Sequence, residues 1–121
     1  MTNGARILLI DDQPGVLDFM VTALQTAGYA PQGLSDSREA LQVLRENRFD
    51  LIVSDIVMPH LHGLDLLEAA KRQDPSTRVL FVTGYPNKVI VGEALSKGAS
   101  GIVEKPFGID EFLETVREIL R

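Results

Sequence analysis

Cysteine is absent from this 121-residue chain. That excludes disulfides, thiolate metal sites and cysteine nucleophiles, and it accords with a cytoplasmic location. No apolar run approaches the roughly 20 residues that cross a bilayer. Met1 to Ala5 is too short and too polar for a secretory signal. No membrane association is expected. Twelve Lys and Arg against 17 Asp and Glu leave a net charge of −5, without the clustered basic face that direct nucleic-acid binding requires. There is no P-loop and no Gly-x-Gly-x-x-Gly fingerprint. Linkers, low-complexity segments and long repeats are missing too. The 45% apolar content is ordinary for a packed core. One domain over 1–121 is expected, with its core at about 6–120.

What is present alternates. Arg6 to Ile10 reads as a buried strand that ends in Asp11-Asp12. From Pro14 the period changes, and Leu17, Met20, Val21, Leu24 and Ala27 mark an amphipathic helix closed by Gly28. Tyr29 to Leu34 is a weaker strand, broken by Pro31 and Gly33, which suits an edge. Ser35-Asp36-Ser37 offers cap chemistry for a second helix running to about Asn47. Leu51 to Val53 is a short apolar run ending at Asp55, and Pro59 follows. Leu64 to about Lys71 reads as a third helix. Arg78 to Val82 is a fourth strand, stopped by Thr83-Gly84. A less regular helix spans roughly Lys88 to Ser96. Gly101 to Glu104 is the fifth strand, followed by Lys105-Pro106. The last helix carries Ile109, Phe112, Leu113, Val116 and Leu120 on one apolar face.

Strands alternating with helices imply βαβ units, and so an α/β domain with a parallel sheet covered on both faces. Ligands bind such sheets at the carboxyl ends of the strands. One aspartate there is ordinarily a turn or cap residue. Here that edge collects Asp11, Asp12, Asp55, Thr83 and Lys105. Two like charges about 4 Å apart repel by roughly 4 kcal/mol at an effective dielectric near 20. Such a cluster calls for a cation or for protonation of one carboxylate. Carboxylates that keep several waters and share the ion with a phosphate suit Mg²⁺. Lys105 and Thr83 can hold phosphoryl oxygens. The chemistry these residues fit is phosphoryl transfer to a carboxylate.

Asp11-Asp12, then Asp55 with Met58-Pro59 and Gly63, then Thr83, then Lys105-Pro106-Phe107, resemble the receiver domain of two-component response regulators, of the chemotaxis-regulator type. The likeness runs from about Arg6 to Leu120. It implies a doubly wound (βα)5 flavodoxin-like fold with strand order 2-1-3-4-5. It implies that Asp55 is the phosphoacceptor, taking phosphorus from the phosphohistidine of a histidine kinase or a histidine phosphotransfer protein. Asp12 would hold Mg²⁺ directly, Asp11 largely through water, with Asp55 and the backbone carbonyl of Val57 as further ligands; Mn²⁺ can substitute. Thr83 and Lys105 would hold the phosphoryl oxygens, and the Lys105–Pro106 peptide would be cis. A signalling module is implied rather than an enzyme. Its downstream partner would meet the face of helix four, strand five and helix five, and a homodimer is compatible with the family. A stand-alone regulator and a receiver within a hybrid kinase or multidomain regulator both fit.

The chain departs from the family pattern in two places. Ile102 stands where an aromatic switch residue is usual, and Gly84-Tyr85 follows the threonine where alanine is common. Tyr85, or movement of the Gly84–Asn87 loop, is expected to take over part of the relay. Val57 and Tyr85 flank the path of an attacking water and are bulkier and less acidic than water-positioning side chains, which implies slow self-dephosphorylation. His60 and His62 read as solvated loop residues, and Met20 and Met58 as packing. Val89, Ile90 and Val91 cannot all face inward on one helix. A haloacid-dehalogenase-like phosphatase would need its nucleophile in an Asp-x-Asp pattern after strand one, which Asp11-Asp12-Gln13 does not supply. A flavodoxin-like flavin carrier would need a phosphate loop where Asp11 and Asp12 stand.

Overall fold

The computed structural model describes residues 4–84 and 87–121. Five apolar segments form β1 (Arg6–Ile10), β2 (Ala30–Leu34), β3 (Leu51–Asp55), β4 (Arg78–Thr83) and β5 (Gly101–Glu104). Between and after them run α1 (Pro14–Thr26), α2 (Ala40–Glu46), α3 (Gly63–Gln73), α4 (Lys88–Ser96) and α5 (Ile109–Leu120). All strand pairs are parallel, in the order β2-β1-β3-β4-β5. This is the expected doubly wound, flavodoxin-like arrangement.

Side chains alternate across the sheet and feed two cores. Leu8, Ile10, Ile52 and Phe81 pack beneath α2, α3 and α4, against Leu44, Leu66 and Ala94. Ile7, Leu9, Val53 and Val82 pack beneath α1 and α5, against Leu17, Met20, Phe112 and Val116. The three central strands are therefore buried on both faces, which is why their sequences read as continuous apolar runs. β2 is an edge strand, as Pro31 and Gly33 require. A Cβ on Gly33 would lie 3.2 Å from both Leu17 and Val21, so the bare glycine lets α1 settle onto the edge.

Several element ends differ from expectation for local reasons. α1 closes in a Schellman turn: Gly28 adopts φ +94°, Gly28 N–H bonds Gln25 O, and Tyr29 N–H bonds Leu24 O. Tyr29 is used in that turn, so β2 starts at Ala30. The second helix opens as a 3-10 turn over Ser37–Glu39, with the Asp36 side chain accepting from Arg38 N–H. α3 begins at Gly63 because His62 caps it: its Nδ1 accepts the Leu64 N–H at 3.1 Å. On α5, Phe112 and Val116 are fully buried, but Ile109 is 44% exposed and leaves the apolar face expected of it. On α4, Val89 is exposed, while Ile90 packs against the core and Val91 is half-buried. No helix among the described residues is long and apolar enough to cross a membrane.

Candidate functional site

β1, β3, β4 and β5 end side by side, and the loops after them build one cleft. Asp11 directly follows β1. Its N–H bonds the Leu34 carbonyl at 3.1 Å, and its Oδ1 accepts the Gln13 N–H at 2.9 Å, which turns the chain into α1. Asp11 is completely buried, whereas Asp12 is exposed at the cleft. Asp55 ends β3 half-buried. Thr83 ends β4 and is 2% exposed. Lys105 follows β5, anchored by its N–H on the Thr83 carbonyl at 2.7 Å, and the Lys105–Pro106 peptide is cis.

The Lys105 ammonium bridges the strands. Its Nζ donates to Asp11 Oδ2 at 2.8 Å, Asp55 Oδ2 at 3.0 Å and Gln13 Oε1 at 3.1 Å. Burial by itself lowers the affinity of this amine for its proton. The hydrogen bonds to Asp11 and Asp55 and their negative charges outweigh burial and raise it above its ordinary value, so the ammonium stays charged. Carboxylate oxygens of Asp11, Asp12 and Asp55 lie within 4.8 Å of one another. At that spacing each pair of charges repels by roughly 3 kcal/mol at an effective dielectric near 20. Three carboxylates against one ammonium leave two negative charges uncompensated. Hard oxygen donors with that residual charge fit a divalent cation such as Mg²⁺.

The cleft, about 600 Å³, is floored by Asp12, Asp55 and Lys105 and walled by Val57, Thr83 and Gly84. Its other wall is aromatic: Phe19 and Phe107 meet with ring centroids 6.0 Å apart, and Phe107 stacks on buried Phe112 at 5.2 Å. The β3–α3 loop is pinned along its length. Gly63 N–H bonds the Ile56 carbonyl at 2.6 Å, the Ser37 hydroxyl donates to the Pro59 carbonyl, and Ile56 and Met58 are buried. Val57, between those two, is 58% exposed and faces the cleft.

The structure thus brings together Asp11, Asp12, Asp55, Val57, Thr83, Gly84, Lys105 and Pro106. Ile102 does not join them: it is half-buried against the core beneath α2, α3 and α4. Tyr85 lies outside the described residues. Of the two histidines, His62 caps α3 and His60 sits exposed in the loop with φ +73°. Asp11 has both oxygens engaged and no exposure, unlike the free carboxylate that a nucleophile after β1 would need. Sequence reasoning missed Gln13, and it read Ser37 only as cap chemistry, whereas its hydroxyl holds the Pro59 carbonyl. Gln13 left one signal: it occupies the N-cap of α1, where Ser, Thr, Asp or Asn is usual, yet its side chain makes no cap bond.

A family model described as the response regulator receiver domain matches residues 7–117. The chain is 30% identical over 115 residues to the response regulator receiver protein CpdR of Brucella abortus (strain 2308), covering 95% of this chain and 96% of that one. It is 31% identical over 122 residues to sensor kinase CckA of the same organism, covering 99% of this chain but 13% of the kinase. It spans 25% to 59% of several further curated relatives. Among solved structures, it resembles a CheY-like response regulator receiver domain protein from Methanospirillum hungatei JF-1, with a TM-score of 0.92, 30% identity, and coverage of 98% of this chain and 94% of that one. By its family match, its strand order and these likenesses, the chain belongs to the receiver domain family of two-component response regulators.

Proposed function

We propose that this receiver domain works by Mg²⁺-dependent phosphoryl transfer from a phosphohistidine to Asp55, and that residues 1–121 act as one such unit. The observation that carries the reading is the meeting of three carboxylates within 4.8 Å, two of them, Asp11 and Asp55, bonded to the Lys105 ammonium. Lys105 holds Oδ2 of Asp55, and among the described residues no hydrogen bond is made to Oδ1. That oxygen is the nucleophile: its electron pair forms the O–P bond. The P–N bond breaks, its pair returns to the imidazole, and the imidazole takes a proton from solvent. Lys105 then moves its ammonium onto a phosphoryl oxygen, and the Thr83 hydroxyl donates to another. Asp11, Asp12, Asp55 and the Val57 carbonyl would hold the metal, which supplies charge neutralisation on the phosphoryl oxygens.

The phosphodonor is a histidine kinase or histidine phosphotransfer protein in the cytoplasm. The state of Asp55 is read by a partner or effector domain on the α4–β5–α5 face, whether the unit stands alone or within a longer protein. The test is labelling with a phosphorylated histidine kinase and, separately, with phosphoramidate. Label should appear with Mg²⁺, vanish with EDTA, and vanish in Asp55→Asn. Label that survives in Asp55→Asn would place the acceptor elsewhere and overturn the reading.

A further inference from the structure

We infer that Gln13 is a positioning residue for the phosphoryl-transfer site, acting through Lys105. An ammonium has three N–H donors. In this site they meet three acceptors: Asp11 Oδ2, Asp55 Oδ2 and Gln13 Oε1, at 2.8, 3.0 and 3.1 Å. Two of these acceptors are carboxylates, buried Asp11 behind the cleft and Asp55 on its floor. The third is a neutral amide oxygen on an exposed residue at the entrance to α1.

The placement of Gln13 shows what its side chain does. It stands at the N-cap of α1, yet does not cap. Its N–H is committed to Asp11 Oδ1, at 2.9 Å, and its carbonyl to the Leu17 N–H, at 3.0 Å. The backbone turn is thus complete without the side chain, which is directed at Lys105 instead. A local preference set aside beside a reacting group marks a side chain retained for the site.

The inference rests on the reading of Asp55 as phosphoacceptor and deepens it. When Asp55 takes up phosphorus, its carboxyl group becomes the uncharged acyl half of a mixed anhydride, and the negative charge lies farther out on the phosphoryl oxygens. The ammonium must follow that charge. Asp11 is fixed and buried, so it draws Lys105 inward. Gln13 Oε1 gives the ammonium an acceptor on the cleft side that adds no charge of its own. It steadies Lys105 toward the place where the phosphoryl group arrives, and it does not compete with the metal as a carboxylate would.

The test uses the full chain with phosphoramidate and Mg²⁺ in three forms: wild type, Gln13→Met and Gln13→Glu. Methionine keeps the length and removes the strong acceptor. Glutamate keeps the acceptor and adds charge. Three quantities are read: the rate of labelling, the Mg²⁺ affinity, and the Lys105 ammonium resonance by 15N NMR. Gln13→Met should label about threefold to tenfold more slowly, as expected for the loss of one charge-assisted hydrogen bond at an exposed position. Its Mg²⁺ affinity should stay within about twofold, and its Lys105 ammonium protons should exchange faster with water. Gln13→Glu should restore slow exchange. An unchanged Lys105 resonance in Gln13→Met overturns the inference, as does a labelling loss matched by an equal loss of Mg²⁺ affinity. If wild type takes no label at Asp55, the phosphoacceptor reading fails by itself, and the Lys105 resonance still decides the Gln13 contact.

Discussion

Asp11 is completely buried, and Lys105 at 2.8 Å supplies the positive charge that lets it remain so. Removing one partner of a buried ion pair leaves the other uncompensated. Lys105→Met should therefore lower unfolding stability by about 1–3 kcal/mol in metal-free buffer at neutral pH. Mg²⁺ should then raise the melting temperature of the variant more than that of wild type, because the cation takes the place of the lost ammonium. Calorimetry with and without Mg²⁺ checks both. The same lysine predicts a pH effect. Its proton is held more tightly in the fold than at the ordinary 10.5, so its contribution is fully present below 10.5 and is lost as pH rises through the higher folded value. Urea midpoints should fall across that alkaline window in wild type and fall less in Lys105→Met. The proposed phosphoryl group on Asp55 is expected to be lost slowly, because Val57, 58% exposed on the cleft wall, offers an attacking water no hydrogen-bond partner from its side chain. Val57→Glu should shorten the phosphoryl half-life of the isolated domain, measured by loss of label after donor removal. The Asp residues, Thr83 and Lys105 were legible in the sequence because each closes an apolar run, and run endings survive in linear text. Gln13 was not, since its partner lies 92 positions away and the amide bears no charge to attract notice.

At the scale of elements, the β3–α3 loop leaves no room for a side chain where it enters α3. A Cβ on Gly63 would stand 2.8 Å from Ile56 Cα and 2.9 Å from the Asp55 and Ile56 carbonyl oxygens. Those are backbone atoms and cannot swing aside. Gly63→Ala should cost about 1–3 kcal/mol. By displacing the segment that carries Val57 it should also weaken Mg²⁺ binding, which a titration followed by NMR would show. Unaltered stability and metal affinity would mean that the loop can yield. Its start, unlike its end, was readable: Pro59 marks where β3 must have finished. The His62 cap and the Ser37 clamp on Pro59 were not, because a histidine rarely caps and the serine lies 22 residues upstream. The 3-10 opening before α2 was half legible. Asp36 was recognised as cap chemistry, but its grip on Arg38 tightens the first turn. Hydrogen bonds from the Arg38 side chain and N–H hold the Asp36 carboxyl down to about 2. Its support for this turn is therefore present above 3.8 and lost as pH falls toward 2. The stability difference between wild type and Asp36→Asn should disappear over that acid range.

For the molecule as a whole, the two cores meet the cleft unequally. Phe107 lines the cleft and stacks on Phe112, which is fully buried between α5 and the sheet. Phe112→Ala should cost about 3–5 kcal/mol, as loss of a large buried aromatic does. It should also slow labelling well below the melting temperature by loosening the Phe107 wall. The core beneath α2, α3 and α4 has no such aromatic link to the cleft among the described residues. The two-sided burial was visible in advance because parallel central strands must be apolar on both faces, whereas the strand order came from the family resemblance and not from the pattern. The exposure of Ile109 was not, because helical spacing alone cannot tell the rim of a buried stripe from its centre. The sheet's borders carry one more implication. β2 lies at one border and contains Pro31, which offers no amide hydrogen for an incoming chain to grip. Fibril-like growth is therefore discouraged from that side, and any strand-to-strand joining of two molecules would have to begin at the opposite margin, along the four residues ending at Glu104.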